Sequence, residues 1–194
     1  MMRAMILLGR GYEEVEALTV VDWFRRAGLE IDMVSVSDEL ETVGDHQIHI
    51  QADKRLAEID PSDYDLIVTP GGMPASKQLA EDSAVLELVQ SHHQAGKWLA
   101  SICASPLILE AAGIASEAEG TCYPGIEEKV HFKEHKEDLV VVDEEAKLVT
   151  SRGPATATYF ALRLVESFAG EEAASDLKQA LLLDRVEASL VDHA

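Results

Sequence analysis

Lys97-Trp98-Leu99-Ala100-Ser101-Ile102-Cys103-Ala104-Ser105-Pro106 is the stretch whose reading decides the fold. It reads as a buried strand, Trp98 to Ile102, that ends on a cysteine and passes at once into helix-forming residues from Pro106 to Ala112. A strand that turns directly into a helix is the repeating unit of parallel α/β sheets. It places the turn residue at the carboxyl edge of the sheet, where ligands bind in open α/β folds.

The flanking sequence has the same rhythm. Ala4 to Leu8 is a short apolar run, Glu14 to Ala27 carries an apolar stripe of Val15, Leu18, Val21, Trp23 and Phe24 closed by Gly28, and Ile31 to Val36 is apolar again. Leu66 to Thr69 reads as a buried strand broken by Pro70-Gly71-Gly72, with Ser83 expected to cap a helix to about Ala95. Between Gly120 and Thr150, Val140 to Val142 and Leu148 to Thr150 bracket an acidic turn and predict a hairpin inserted on a parallel core. Gly153-Pro154 opens a helix, and an amphipathic segment covers Glu171 to Leu183. The expected architecture is a three-layer α/β sandwich with a mostly parallel central sheet. Residues 1–183 form one expected domain, and 184–194 are expected to be a C-terminal extension, either a helix or a frayed end.

Composition narrows the partners. With 36 acidic against 16 basic residues and a net charge of −20, the chain would repel phosphates, which disfavours nucleic acid. No apolar run reaches the length of a membrane span or of a signal-peptide core, so no membrane partner and a cytoplasmic location are expected. Only two cysteines are present, Cys103 and Cys122, and reduced thiols are the default for such a chain.

Four strand ends carry chemistry-bearing residues. Cys103 sits at an elbow where helix-directed N–H groups and a helix dipole would favour its ionised form, although a free cysteine is also commonly an inert core residue. Gly9-Arg10-Gly11-Tyr12-Glu13-Glu14-Val15-Glu16 opens a helix with three acids. Glu13 and Glu14 suit the helix dipole and need no further role, whereas Glu16, a turn into the helix, can point back over the strand ends. Thr69-Pro70-Gly71-Gly72-Met73 allows close backbone approach, and Thr150-Ser151-Arg152-Gly153-Pro154 places an arginine at a strand-to-helix switch. His92 and His93 are adjacent on one helix and cannot share a metal from one face.

These segments together resemble the ThiJ/PfpI superfamily, in particular the branch of the parkinsonism-linked deglycase and its bacterial relatives. The resemblance rests on Gly11-Tyr12-Glu13-Glu14-Val15-Glu16, Arg25-Arg26-Ala27-Gly28, Pro70-Gly71-Gly72, Ile102-Cys103-Ala104-Ser105-Pro106 and Thr150-Ser151-Arg152-Gly153-Pro154-Ala155-Thr156. It implies a flavodoxin-like fold, usually a homodimer, and a catalytic pair of Cys103 and Glu16. It also implies an oxyanion pocket from the backbone N–H groups of Gly72 and Ala104, with Tyr123 and Arg152 beside the substrate. In such a pair a neutral carboxyl hydrogen-bonds the thiolate, and no metal or organic cofactor is required. The implied substrates are α-oxoaldehydes such as methylglyoxal, or glycated adducts.

This chain departs from the pattern at two places. Tyr123 stands where many relatives place a histidine, so a phenolic hydrogen bond is the expected substitute. His46 is the approximate match to an arginine of an anion pocket. A protease or amidase reading loses its base, because Ala104 follows the cysteine and His135-Lys136-Glu137 falls in the charged hairpin. A redox sensor or redox-regulated chaperone built on the same thiol and carboxyl is the alternative from another class.

Overall fold

The computed structural model describes residues 2–191. In chain order the elements are β1 (Arg3–Leu8), α1 (Glu14–Arg26), β2 (Glu30–Ser35), β3 (Glu41–Val43), β4 (His49–Gln51), β5 (Lys54–Arg55), β6 (Leu66–Thr69), α2 (Met73–Glu81), α3 (Ser83–Gln94), β7 (Trp98–Ile102), α4 (Pro106–Ala111), β8 (Glu119–Gly120), β9 (Glu134–His135), β10 (Val140–Asp143), β11 (Leu148–Ser151), α5 (Ala157–Ala169), α6 (Glu171–Ala180) and α7 (Leu183–Val191). Seven strands form one sheet in the order β10-β11-β7-β6-β1-β2-β5, parallel except for the β10–β11 pair.

Alternation along the strands feeds two cores. Ala4, Ile6, Leu8, Val68, Ala100 and Ile102 face α1, α5 and α6, where Phe24 and Phe160 are fully buried. Met5, Leu7, Ile67 and Leu99 face the opposite layer of α2, α3 and α4. This is the expected three-layer arrangement. Because both faces of the sheet are covered, the strands read as continuous apolar runs. β11, β7, β6 and β1 are adjacent and parallel, so the four chemistry-bearing strand ends lie side by side at one edge.

Several local expectations are corrected. The expected hairpin of Val140–Asp143 and Leu148–Ser151 is present, but its second strand belongs to the parallel core beside β7, and only β10 is antiparallel, at the sheet edge. Asp82, not Ser83, caps α3, accepting the Ala84 and Val85 N–H groups at 2.9 and 3.3 Å. Helix α2, starting at Met73, fills what reads locally as a loop after Gly72. A 3-10 turn at Pro154–Thr156 precedes α5. The segment from Glu171 to Leu183 is broken at Leu182, whose φ is +61°, so α6 and α7 are separate helices joined by a Lys178–Glu187 ion pair at 2.6 Å. Most of the expected 184–194 extension is α7; Asp192, His193 and Ala194 lie outside the described residues. Among the described residues no helix is long and apolar enough to cross a membrane.

Candidate active site

Cys103 follows β7 with φ of +65°, in the left-handed region that a residue with a Cβ occupies at a cost of about 1–2 kcal/mol. Buried hydroxyls hold this conformation. Ser105 Oγ donates to the Thr69 carbonyl at 2.6 Å and accepts the Ile102 N–H at 2.9 Å, while Ser101 Oγ bridges to Thr69 Oγ1 at 2.7 Å and to Ser105 Oγ at 2.8 Å. The Cys103 backbone is itself tied on both sides: its N–H donates to the Ser151 carbonyl at 3.0 Å, and its carbonyl accepts the Tyr123 N–H at 2.9 Å. The elbow is thus strained but over-determined, as strained functional turns are.

Glu16 reaches the thiol from α1. Glu13 caps that helix by accepting the Glu16 N–H at 2.7 Å, which fixes the first turn and turns the Glu16 side chain over the strand ends. Glu16 is fully buried; its Oε2 accepts the Gly71 N–H at 2.7 Å, whereas Oε1 is buried without a partner of ordinary geometry. Gly71 shows how closely the two groups are set. A Cβ there would stand 2.6 Å from both Cys103 Cβ and Glu16 Oε2 and 3.1 Å from the Cys103 sulfur, so only glycine leaves room for the pair. Gly72, with φ of +94°, leaves the Gly11 carbonyl no space for a Cβ on its other side.

The electrostatics follow from burial. Desolvation raises the Glu16 carboxyl to about 7, against opposing hydrogen bonds from Cys103 and Gly71, and the neighbouring Glu13 charge adds to the rise. The Cys103 thiol is pushed above its ordinary value first by burial and then by the Glu16 carboxylate, while the Ala104 and Gly72 N–H groups pull it down. This reverses the easily ionised thiol expected from the helix dipole. Helix α4 has six residues, so its dipole is small, and desolvation outweighs it. The two titrations are coupled: a proton on Glu16 removes the carboxylate's repulsion on sulfur and supplies a donor to it, so a thiolate at Cys103 goes with a protonated Glu16.

The remaining expected residues divide. Gly72 and Ala104 lie with their N–H groups toward the sulfur. Tyr123 is at the site through its backbone, but its ring is half exposed against Gly153, and among the described residues its hydroxyl makes no hydrogen bond. The phenolic hydrogen bond expected to replace a histidine is absent there. Arg152 points along the 122–137 segment, donating to the carbonyls of Cys122 at 3.4 Å and Glu137 at 3.0 Å. His46 is bound to Glu14, both through Nδ1 and through its backbone N–H, each at 2.7 Å. That makes the buried Glu14 a latch for the β3–β4 turn rather than a residue of the helix dipole alone. Glu13, Glu14 and His46 could together offer one ligand atom each to a metal ion, but every one of these side chains already has a structural partner. His92 is buried and its Nε2 lacks a partner; burial, then Lys97, lowers it to about 4. Cys122 is fully buried in the core. The close approach expected at Gly71 and Gly72 is found, and the residues whose part local reading missed are the hydroxyls of Thr69, Ser101 and Ser105. Their one signal is small polar residues at the ends of otherwise apolar strands.

Comparison with known proteins gives the family and the fold. The DJ-1/PfpI family pattern matches residues 2–167. Protein dj-1beta of Drosophila melanogaster is 33% identical over 181 residues, 93% of this chain and 96% of the fly protein. A Caenorhabditis elegans protein named glutathione-independent glyoxalase DJR-1.2 is 33% identical over 183 residues, 93% of this chain and 96% of its own. The structure of oxidized Toxoplasma gondii DJ-1 superposes with a TM-score of 0.88 at 31% identity, covering 94% of this chain and 98% of that one.

Proposed function

This chain belongs to the DJ-1/PfpI family, and within it we propose a cysteine-dependent enzyme that converts α-oxoaldehydes such as methylglyoxal to hydroxy acids. The single observation that carries the reading is the buried Glu16 carboxyl, raised to about 7 and set with Cys103 against the bare face of Gly71. A carboxyl that titrates near neutrality can both give and take a proton at working pH.

In the proposed cycle the Cys103 thiolate adds to the aldehyde carbon, and the carbonyl oxygen takes the electron pair as an alkoxide. The Gly72 and Ala104 N–H groups stabilise that oxygen, and Glu16 protonates it. Glu16, now a carboxylate, removes the proton from the former aldehyde carbon, leaving an enediolate, and returns it to the adjacent carbon while the proton of the first hydroxyl passes to the second oxygen. The product is an α-hydroxyacyl thioester on Cys103. Water attacks the thioester carbonyl, the thiolate leaves, and the hydroxy acid is released. The sum is aldehyde plus water, with the oxidation of one carbon matched by reduction of its neighbour, so the reaction needs no metal or organic cofactor. Tyr123 forms a wall of the site and Arg152 fixes the segment that carries it. Activity on glycated adducts belongs to the same reading, because they share the carbonyl chemistry.

The reading takes residues 1–183 as the unit that carries the site, and a cytoplasmic homodimer as the working form. Family membership and the exposed Val15 on α1 support self-association. A second reading, a redox sensor or redox-regulated chaperone, is favoured by the same neutral carboxyl, which can hydrogen-bond an oxidised sulfur; the Toxoplasma gondii structure is that of an oxidized DJ-1. Methylglyoxal consumption with formation of lactate, lost in Cys103→Ser with the fold retained, is the expected result for the enzyme. Full turnover in that variant overturns the mechanism, and no turnover by the native chain, with oxidation-dependent binding instead, favours the sensor.

A further inference from the structure

We propose that the site admits α-oxoaldehydes whose substituent is neutral or cationic and turns away those that carry a carboxylate. This deepens the reading of Cys103 as an accessible nucleophile and rests on it. The start of α1 carries three buried carboxyl groups, of which Glu16 lies at Cys103 and Glu13 at the cap beside Glu16, while Glu14 is paired with His46. The strongest charges acting on the catalytic pair are acids: Glu13 bears on Glu16, and Glu16 bears on Cys103.

Two cations that the family resemblance sets near the site are held by other partners. His46 is held against Glu14 at 2.7 Å, so its charge is already answered. The Arg152 guanidinium is bound to the carbonyls of Cys122 and Glu137, and its charge acts on the Glu127 carboxyl, which it helps lower. What the rim offers a substituent is bare backbone at Gly71, Gly72 and Gly153 and the half-exposed side chains of Met73 and Tyr123. A neutral group meets contact surface there. Among the described residues neither of these two cations is turned toward a carboxylate there, which would be desolvated beside the acidic start of α1.

The test reads Cys103 directly. Methyl, trimethylammonium-ethyl and sulfonato-ethyl methanethiosulfonates are reacted with the native chain near neutral pH at low ionic strength. Each rate is divided by that of the same reagent with 2-mercaptoethanol, which cancels the intrinsic effect of reagent charge. Cys103→Ser serves as the blank, since Cys122 is fully buried. The sulfonate is expected to react at least about tenfold more slowly than the trimethylammonium reagent, a difference of about 1.4 kcal/mol. The gap should shrink as salt screens it. Glu13→Gln retains an oxygen to accept the Glu16 N–H but removes a charge, and it should narrow the gap. Normalised rates that agree within about twofold, or a faster sulfonate, overturn the inference. Parallel assays with methylglyoxal and glyoxylate separate charge selection from turnover. A flat reagent series with normal methylglyoxal turnover overturns charge selection and leaves the enzyme standing. A charge-graded series without turnover of either aldehyde supports charge selection and removes the enzyme.

Discussion

Replacing Glu16 by glutamine should make the protein more stable at neutral pH while removing its turnover. The carboxyl is fully buried and raised from 4.5 to about 7, first by desolvation. At about 1.36 kcal/mol per pH unit, that rise represents roughly 3 kcal/mol by which the fold disfavours the charged form. The sign follows from proton counting. Between 4.5 and about 7 the folded chain holds the Glu16 proton and the unfolded chain does not, so the stability Glu16 contributes is fully present below 4.5 and lost as pH rises through about 7. Glutamine stays neutral and still offers an oxygen to the Gly71 N–H, so it escapes this loss. Chemical denaturation should therefore find the variant within about 0.5 kcal/mol of the native chain near pH 4.5, and up to roughly 3 kcal/mol more stable near pH 8. For a chain of this size the upper figure corresponds to a Tm gain of roughly 6–12 °C. Methylglyoxal turnover should fall by about 10²–10⁴, because an amide cannot carry the proton. A stability difference that is the same at both pH values would refute the raised carboxyl, and retained turnover would refute its catalytic role.

Gly71→Ala should push Cys103 and Glu16 apart, since the new methyl would stand 2.6 Å from each; about a 10²-fold loss of turnover and about 1–3 kcal/mol of stability are expected, and normal kinetics would show that the close approach is unimportant. Ser105→Ala removes the hydroxyl that ties the Thr69 carbonyl to the Ile102 N–H, and should cost about 1–3 kcal/mol in denaturant melts and alter the rate of Cys103 alkylation. An unchanged alkylation rate would mean that the elbow holds itself. His92, lowered to about 4 by burial, should destabilise the fold as pH falls from 6.5 toward 4, because only the unfolded chain takes up its proton there. This opposes the Glu16 contribution between 4.5 and 6.5, so the native chain should show a shallow profile in that window. His92→Gln should abolish the acid-side loss, and an unaltered acid limb would exclude His92 as its source.

The strands and the elbow were legible along the chain because each depends on local pattern, whereas the pairing of Cys103 with Glu16 was implied only by the family resemblance. Apolar runs of four to six residues ending in Cys103, Gly72 or Gly11 can form little else than covered parallel strands with their ends at one edge. What the tertiary structure decided is how the groups at that edge are committed. Leu148–Ser151 joins the parallel sheet because its partner β7, distant in sequence, settles a choice that propensity leaves open. The Thr69–Ser101–Ser105 hydroxyls lock the elbow across more than thirty residues of chain. His46 and Arg152 look like free cations in the sequence, yet in the fold one is held by Glu14 and the other by carbonyls of Cys122 and Glu137. The direction of the thiol shift was likewise beyond local reading. A helix dipole can be inferred from order along the chain, but desolvation depends on what packs around the sulfur, and here burial and Glu16 outweigh a helix of six residues.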